Sequence, residues 1–160
     1  AGSACAGGPS QPTECLPGNI APDGRPISER ARCASCVAGT YQPASAQTAC
    51  LDCTASNYCP LGAAAQLPCR AGSYSSSANL GAPGDCSDCP RGSSCATGST
   101  APTPCNPGSH AASPSSSSCV ICSAGSYQNE TGATECQALK GNKESQAAKA
   151  PRDRAELGSH

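Results

Sequence analysis

The most reactive side chains in this sequence are its fifteen cysteines, and their spacing is regular. Four Cys-x-x-Cys pairs occur, at Cys33/Cys36, Cys50/Cys53, Cys86/Cys89 and Cys119/Cys122. Thiols at this spacing bind zinc, exchange with disulfides or form structural bridges. Two four-cysteine zinc sites would use only eight of the cysteines, and a thioredoxin-type site needs a βαβ pattern that the sequence lacks. The spacing therefore favours structural disulfides.

The remaining cysteines repeat with matched intervals. Three segments have the form Cys, nine residues, Cys, namely Cys5 to Cys15, Cys59 to Cys69 and Cys95 to Cys105. The series Cys53, Cys59, Cys69 returns as Cys89, Cys95, Cys105 with a uniform shift of 36 residues. Such matched intervals indicate a tandem repeat.

A short phrase, Cys-x-x-Gly-x-Tyr, opens many of these loops. It occurs at Cys36, Cys69 and Cys122, and with Ile20 or His110 in the Tyr position at Cys15 and Cys105. Glycine three residues after a bridge suits a tight turn with positive φ. The Tyr ring is expected to cover the neighbouring disulfide in place of an apolar core.

Pairing by loop type assigns each phrase to the next cysteine along the chain. The predicted bridges are Cys15–Cys33, Cys36–Cys50, Cys69–Cys86, Cys105–Cys119 and Cys122–Cys136, with two short loops at Cys53–Cys59 and Cys89–Cys95. An interleaved pairing, first to third and second to fourth, stays open as the alternative. Cys5 is left over, and we expect its partner upstream of Ala1 or in another chain.

Composition makes these bridges the main source of stability. The chain has seven Leu, three Ile and two Val, and no Phe, Trp or Met. Burying twelve such side chains at about 1.5–3 kcal/mol each cannot offset a backbone entropy cost of about 1–2 kcal/mol per residue. Each disulfide loop of about 15 residues contributes about 3 kcal/mol in the chain-entropy model. The predicted fold is an elongated, small disulfide-rich rod of tandem modules with short two-stranded hairpins and no large hydrophobic core.

The same composition indicates the compartment and the domain order. This cysteine density is typical of an oxidising, extracellular or cell-surface environment. A net charge of −1 gives no electrostatic reason to bind nucleic acid, and no stretch is apolar enough to span a membrane. The sequence divides into cysteine-rich repeats at 1–36, 37–89 and 90–136 and a charged tail at 137–160, where Leu139 stands in place of the next expected cysteine. For this tail a charged helix over 142–158, interrupted at Pro151, and a frayed end stay open as alternatives.

The sequence offers few candidate groups of catalytic residues. His110 lies in a serine-rich loop, but other copies of the phrase have Tyr or Ile at its position, so we interpret it as structural. The acidic residues Asp52, Asp85 and Asp88 lie beside cysteines without forming a dyad, and Asp85 and Asp88 are expected to cap turns. We predict no enzyme activity, no cofactor and no metal.

The phrase and its spacing resemble the ephrin-receptor-like cysteine-rich repeat, which is similar to growth-factor-receptor and tumour-necrosis-factor-receptor modules. The resemblance covers residues 5 to 136 and implies a thin rod of disulfide ladders without catalytic residues. The Ala-, Ser-, Pro- and Gly-rich filler is similar to that of algal and protist surface glycoproteins, including those of flagellar hair filaments.

Two functions follow as expectations. The first is a structural segment of an extracellular or cell-surface glycoprotein, in a flagellar filament for instance, whose partners are other copies or other chains. The alternative is a ligand-binding receptor ectodomain. Glycans are expected on the single sequon at Asn129 and on the hydroxyls of Ser75, Ser76, Ser77, Thr100, Thr103, Ser115, Ser116, Ser117 and Ser118.

Overall fold

The computed structural model describes residues 14–22 and 33–139. Its fourteen strands have two residues each and pair consecutively into seven antiparallel hairpins, with one 3-10 turn at Pro83–Asp85. The pairs are β1 Asn19–Ile20 with β2 Ala34–Ser35, β3 Thr40–Tyr41 with β4 Leu51–Asp52, β5 Asn57–Tyr58 with β6 Leu67–Pro68, β7 Ser73–Tyr74 with β8 Ser87–Asp88, β9 Ser93–Ser94 with β10 Thr103–Pro104, β11 Ser109–His110 with β12 Val120–Ile121, and β13 Ser126–Tyr127 with β14 Gln137–Ala138.

Each hairpin belongs to a unit that opens on one cysteine, which we call the anchor. The anchors of units 1 to 7 are Cys15, Cys36, Cys53, Cys69, Cys89, Cys105 and Cys122. Counting the anchor as position 1, the first strand occupies positions 5 and 6, and the second strand ends directly before the next anchor. The structural repeat is therefore a single hairpin, and the shift of 36 residues in the cysteine pattern spans two units.

Seven disulfides close the seven units locally, and the pairs are the same as those that loop type predicts. In five units the anchor bonds to the cysteine three residues before the next anchor, over separations of 14 to 18 residues. In units 3 and 5 it bonds to position 7, six residues away, as Cys53–Cys59 and Cys89–Cys95. The fold is small, disulfide-rich and made of two-stranded hairpins, which confirms the predicted fold class.

Sulfur takes the place of an aliphatic core. The largest fully buried side chains among the described residues are eight cysteines, of which six are the anchors of units 1 to 6. Large apolar residues lie outside, with Leu16, Leu61 and Ile121 each more than two thirds exposed. Position 7 is buried in every unit whatever its residue type, as Ala21, Gln42, Cys59, Ser75, Cys95, Ala111 and Gln128.

The array continues slightly further than the sequence predicts. The last hairpin ends at Ala138, so residues 137 and 138 belong to the repeat rather than to the charged tail. The amide of Leu139 donates to the Gly125 carbonyl at 3.0 Å, the same bond that an anchor cysteine makes. Cys5 and residues 140–160 lie outside the described residues, and so do the predictions made for them. In the described part of the chain, no helix is long and apolar enough to cross a membrane.

Candidate functional site: the stacking surface between units

Backbone hydrogen bonds join each unit to the next in a fixed pattern. The position 7 amide of units 1 to 6 donates to a carbonyl of the following unit at 2.8–3.1 Å. One residue of that following unit, which we call the crossing residue, donates its amide to the preceding anchor carbonyl at 2.7–2.9 Å. The position 4 amide adds a third bond in five of these units, from Gly39 to Cys59 for example. A nearest-neighbour ladder of this kind is the organisation of a solenoid.

Within residues 14–22 and 33–139, all thirteen residues with positive φ lie at two positions of this ladder. Seven are at position 4, six as glycine and one as Ser56. The other six are the crossing residues, namely Ala46, Gly62, Asn79, Gly98, Ser115 and Gly132. The left-handed backbone turns each crossing amide toward the anchor of the preceding unit. The predicted glycine turn after the anchor is confirmed, and the crossing residues are a feature that the sequence reasoning missed.

Position 4 also touches the unit two places further along. A Cβ built on Gly18, Gly39, Gly72 or Gly92 would overlap a backbone carbonyl oxygen of that unit, at Gly62, Asn79, Ser115 and Gly132 respectively. Glycine is therefore required there for two reasons, the left-handed φ and the close approach of another backbone. Units 1, 2, 4 and 5 consequently contact two successors rather than one.

In the aromatic slot at position 6, Tyr41 lies over a neighbouring disulfide, as the sequence predicts. Tyr41 packs on the cluster formed by Cys53, Cys59 and Ala63, so its ring covers the disulfide of unit 3. Its hydroxyl accepts a hydrogen bond from Gln66 Nε2 at 3.2 Å. At this position Tyr41, Tyr58 and Tyr74 also form isolated parallel bridges with the following unit. The slot therefore contributes to stacking.

His110 occupies the same slot in unit 6. Its Nδ1 lies 3.1 Å from the Val120 carbonyl oxygen and 3.1 Å from Sγ of Cys136 in the next unit. Because a carbonyl only accepts, Nδ1 carries the proton in this contact. The imidazole thus covers the disulfide of unit 7 as Tyr41 covers that of unit 3, which supports the structural interpretation of this histidine.

The disulfides also argue against zinc sites at the Cys-x-x-Cys pairs. Ligand atoms of His110, Cys122 and Cys136 lie within 4.8 Å of one another, but the two sulfurs are bonded together. All fourteen cysteines in the described residues are in disulfides, and a thiolate is what zinc requires from cysteine. The Cys-x-x-Cys pairs contribute one sulfur to each of two successive bridges, so they form no four-cysteine site.

Two buried glutamines hold the hairpin loops and were missed by the sequence reasoning. Gln42 Nε2 donates to the Ala49 carbonyl at 2.7 Å, while its Oε1 accepts from the Ala44 amide at 3.0 Å. Gln128 makes the equivalent bonds to the Glu135 carbonyl and the Glu130 amide, at 2.8 and 3.0 Å. The signal in the sequence was the matched Tyr-Gln after the glycine turn in units 2 and 7.

Two copies of the opening phrase were missed for a similar reason. Unit 3 begins Cys53-Thr-Ala-Ser56-Asn-Tyr58, with serine in place of glycine, and unit 5 begins at Cys89 with Gly92 but has Ser94 in the aromatic slot. Both fold as the other units do. Their short disulfides, rather than the phrase, identify them.

The acidic residues play modest roles. One carboxylate oxygen of Asp85 accepts hydrogen bonds from the amides of Gly81 and Ala82, each at 2.9 Å. Asp85 therefore caps the 3-10 turn, as predicted. Asp52 and Asp88 lie exposed in second strands instead, so the capping prediction is wrong for Asp88.

The predicted glycan acceptors are mostly exposed. Asn129 and Thr131 of the sequon are exposed, and so are most of the serine and threonine hydroxyls named above. Ser75 differs, because it is buried and its Oγ accepts the Ser77 amide at 3.1 Å. Glycosylation itself stays a prediction, and Ser75 is the least accessible of its sites.

The last described unit leaves the stacking surface open, and we call this surface the terminal edge. It consists of Gly108, Ile121, Gly125, Tyr127 and Gln128 together with the Cys122 carbonyl. Among the described residues, no heavy atom lies within 4 Å of a Cβ built on Gly108 or Gly125, in contrast to the equivalent glycines of units 1, 2, 4 and 5. Ile121 is 80 % exposed and Tyr127 is 40 % exposed.

No protein-family model matches this chain, and neither does any curated protein. The tandem disulfide-bonded hairpins are consistent with cysteine-rich repeats, and this likeness lies in the architecture. The stacking surface and the disulfides are therefore the features that bear on function.

Proposed function

We propose that this chain is a non-catalytic structural segment of an extracellular or cell-surface glycoprotein. The observation that carries the proposal is the ladder itself, in which every described unit is closed by its own disulfide and units 1 to 6 are each bonded to the next through backbone atoms. Such an array propagates one geometry along the chain and depends little on side-chain identity. The groups that recur from unit to unit face neighbouring units, which is the arrangement of a spacer or scaffold.

The disulfides support an extracellular location. Seven bridges between Cys15 and Cys136 require an oxidising compartment to form and persist. Because the buried sulfurs replace the apolar core, reduction would remove the main source of stability. The chain therefore belongs outside the cytosol.

The proposed partners are other copies or other chains of the same assembly, together with attached sugars. Exposed backbone and exposed serine-rich loops give polar surface along the whole array. Sugars on Asn129 and on the exposed hydroxyls would shield this backbone and supply polar contacts for lateral packing. A flagellar filament is one assembly of this kind.

Electron microscopy of native material, with an antibody against this chain, tests the structural role. We expect labelling at regular intervals along an extracellular polymer. Labelling of isolated monomers at a membrane would favour the receptor ectodomain instead.

Intact mass of the native protein tests glycosylation separately. We expect a mass above that of the oxidised polypeptide, with part of the excess removed by an enzyme that releases N-linked sugars and absent in Asn129→Gln. A native mass equal to the polypeptide less the hydrogens of its disulfides would contradict the prediction.

A further inference from the structure

The disulfides leave two long segments of the array outside any closed loop. Between Cys15 and Cys136, the backbone outside the seven loops consists of the two-residue links 34–35, 51–52, 87–88 and 120–121 and the nine-residue segments 60–68 and 96–104. The two segments occur because the short bridges of units 3 and 5 leave the loop between the two strands outside, whereas the bridges of the other five units enclose it.

A tensile load follows the shortest covalent path through such an array. In units 1, 2, 4 and 6 this path crosses the disulfide and then a two-residue link that is already extended as a β-strand, so the load gains almost no length there. In units 3 and 5 the path runs through the nine-residue segment. Cys69 lies ten residues after Cys59, and Cys105 lies ten after Cys95, so each segment spans at most about 33–36 Å when extended.

Segment 60–68 is folded back onto unit 2 by noncovalent bonds, and this fold stores its length. The Gly62 amide donates to the Cys36 carbonyl at 2.7 Å, and the Ala63 carbonyl accepts a hydrogen bond from the Gln42 amide at 3.0 Å. The enclosed loops of units 2, 4 and 6 make comparable bonds through their crossing residues, but their disulfides remove them from the load path. The same contact therefore yields length only where no bridge spans it.

Side chains strengthen the attachment of segment 60–68. Gln66 Oε1 accepts hydrogen bonds from the Thr54 amide and hydroxyl, each at 2.6 Å, and Gln66 Nε2 donates to the Tyr41 hydroxyl at 3.2 Å. The hairpin of unit 3 also contains an apolar cross-strand pair, Tyr58 with Leu67. Such pairs stabilise a short hairpin beyond its backbone bonds.

Segment 96–104 has the backbone bonds without these side-chain contacts. Its crossing glycine and the following residue make the equivalent bonds to unit 4, at 2.9 and 3.1 Å. Pro102 stands at the position of Gln66 in the repeat of 36 residues, and its ring has no donor or acceptor. The cross-strand pair is Ser94 with Thr103. Segment 96–104 is therefore the more weakly held of the two.

We propose that the array is an extensible element, which lengthens reversibly under tension at segment 96–104 first and at segment 60–68 second, within a limit that the disulfides impose. The bridges keep each released segment close to its folding partners, so the contacts re-form when the load is removed. This inference rests on the proposed structural function, because a spacer in an extracellular assembly carries load, and it specifies how that spacer responds.

Single-molecule pulling of the full-length, oxidised chain tests the extension. Azide-bearing residues in place of Val37 and Val120, which are 65 % and 59 % exposed, attach the chain to DNA handles and keep the load within units 2 to 6. We expect two separate lengthening steps, each of no more than about 33–36 Å and each recovered on relaxation. A single step, no step before the tether breaks, or lengthening that is not recovered would overturn the proposal.

Matched insertions locate the steps. Six glycine and serine residues inserted after Ala64 should lengthen the higher-force step by about 20 Å. The same insertion after Gln47 should add no length, because the bridge Cys36–Cys50 spans it. Extra length in the lower-force step, or equal effects of the two insertions, would contradict the assignment of the segments.

Matched substitutions test the order of the steps. Gln66→Ala should bring the force of the second step down toward that of the first, since it removes the bonds to Thr54 and Tyr41. Gln47→Ala, within the closed loop of unit 2, should leave both forces unchanged. An unchanged second step in Gln66→Ala would show that side chains do not set the order.

The two proposals fail on different results. A chain found by microscopy in an extracellular polymer, but whose array lengthens in one step or not at all, would overturn the extensible element and leave the structural role standing. Isolated monomers at a membrane would overturn the structural role, whatever steps the pulled array shows.

Discussion

At the scale of single residues, glycine at position 4 is the most constrained choice in the repeat. It adopts a left-handed backbone and lets a carbonyl two units away approach its Cα. Ser56 also has a positive φ, so this backbone angle by itself tolerates a side chain. The Ser56 amide makes none of the described ladder bonds. Both conditions together exclude a Cβ.

Substitution of Gly39 by alanine tests this constraint. Its φ is +92° and the Asn79 backbone lies where the Cβ would be placed, so we expect a loss of about 2–4 kcal/mol in the free energy of unfolding. The control is Gly84→Ala, where nothing lies within 4 Å, with an expected change within about 0.5 kcal/mol. Denaturant unfolding with intact disulfides measures both. Equal stabilities of the two variants would contradict the close approach.

The buried Gln42 provides a second residue-scale prediction. Replacement by alanine leaves the Ala49 carbonyl and the Ala44 amide without their partners, at a cost of about 1–3 kcal/mol. Gln47→Ala is the matched control, because the Gln47 side chain is exposed and bonds only to the Ser45 carbonyl, at 3.1 Å, while the Gln47 backbone carbonyl that accepts the Ala21 amide is kept in the variant. Thermal unfolding should separate the two variants. A control as damaging as Gln42→Ala would contradict the assigned role.

At the scale of elements, each hairpin is too short to be stable by itself. Two residues per strand give few ladder bonds, so closure depends on the disulfide that joins the hairpin's anchor to its own loop. Local closure explains why units with different loop lengths share one strand arrangement. The cysteine spacing therefore governs the hairpins more than strand propensity does.

Peptide mapping without reduction tests this closure. We expect seven bridges between the predicted partners, including the short loops Cys53–Cys59 and Cys89–Cys95. A sample whose disulfides are reduced and whose thiols are then alkylated is the control for peptide assignment. Detection of a Cys33–Cys50 bridge would support the interleaved alternative and contradict the local one.

At the scale of the whole molecule, stability is a sum over units and their interfaces rather than over one core. Interior units are bonded on both sides, whereas unit 7 is bonded only to its predecessor within the described residues. Unit 7 should consequently open before the interior units do.

Amide hydrogen exchange tests the order of opening. The Gly62 amide donates to Cys36 between two interior units, and the Leu139 amide donates to Gly125 at the end of the array. We expect exchange at Leu139 to be at least tenfold faster than at Gly62, with intermediate values at the Gly132 amide of unit 7. Uniform protection along the array would instead indicate one cooperative unit. NMR of the oxidised protein gives the rates.

The sequence by itself determined the local features of this protein. The spacing of Cys36, Cys50 and Cys53 indicates local bridges, glycine in the phrase predicts a left-handed turn, and the lack of large apolar residues requires covalent stabilisation. Each of these signals depends on residue type within one loop. Features of this kind can be predicted from the sequence without knowledge of the fold.

Only the tertiary structure decided how the units stack. The bonds from Gly39 to Cys59 and from Gly62 to Cys36 join backbone atoms, and every residue except proline carries such a donor and an acceptor. The residue types therefore give almost no indication of a backbone ladder, apart from the glycines against which another backbone packs. The hairpin repeat, the crossing residues and the terminal edge emerge from this ladder because they are defined by which units meet in space, not by the chemistry of any one loop.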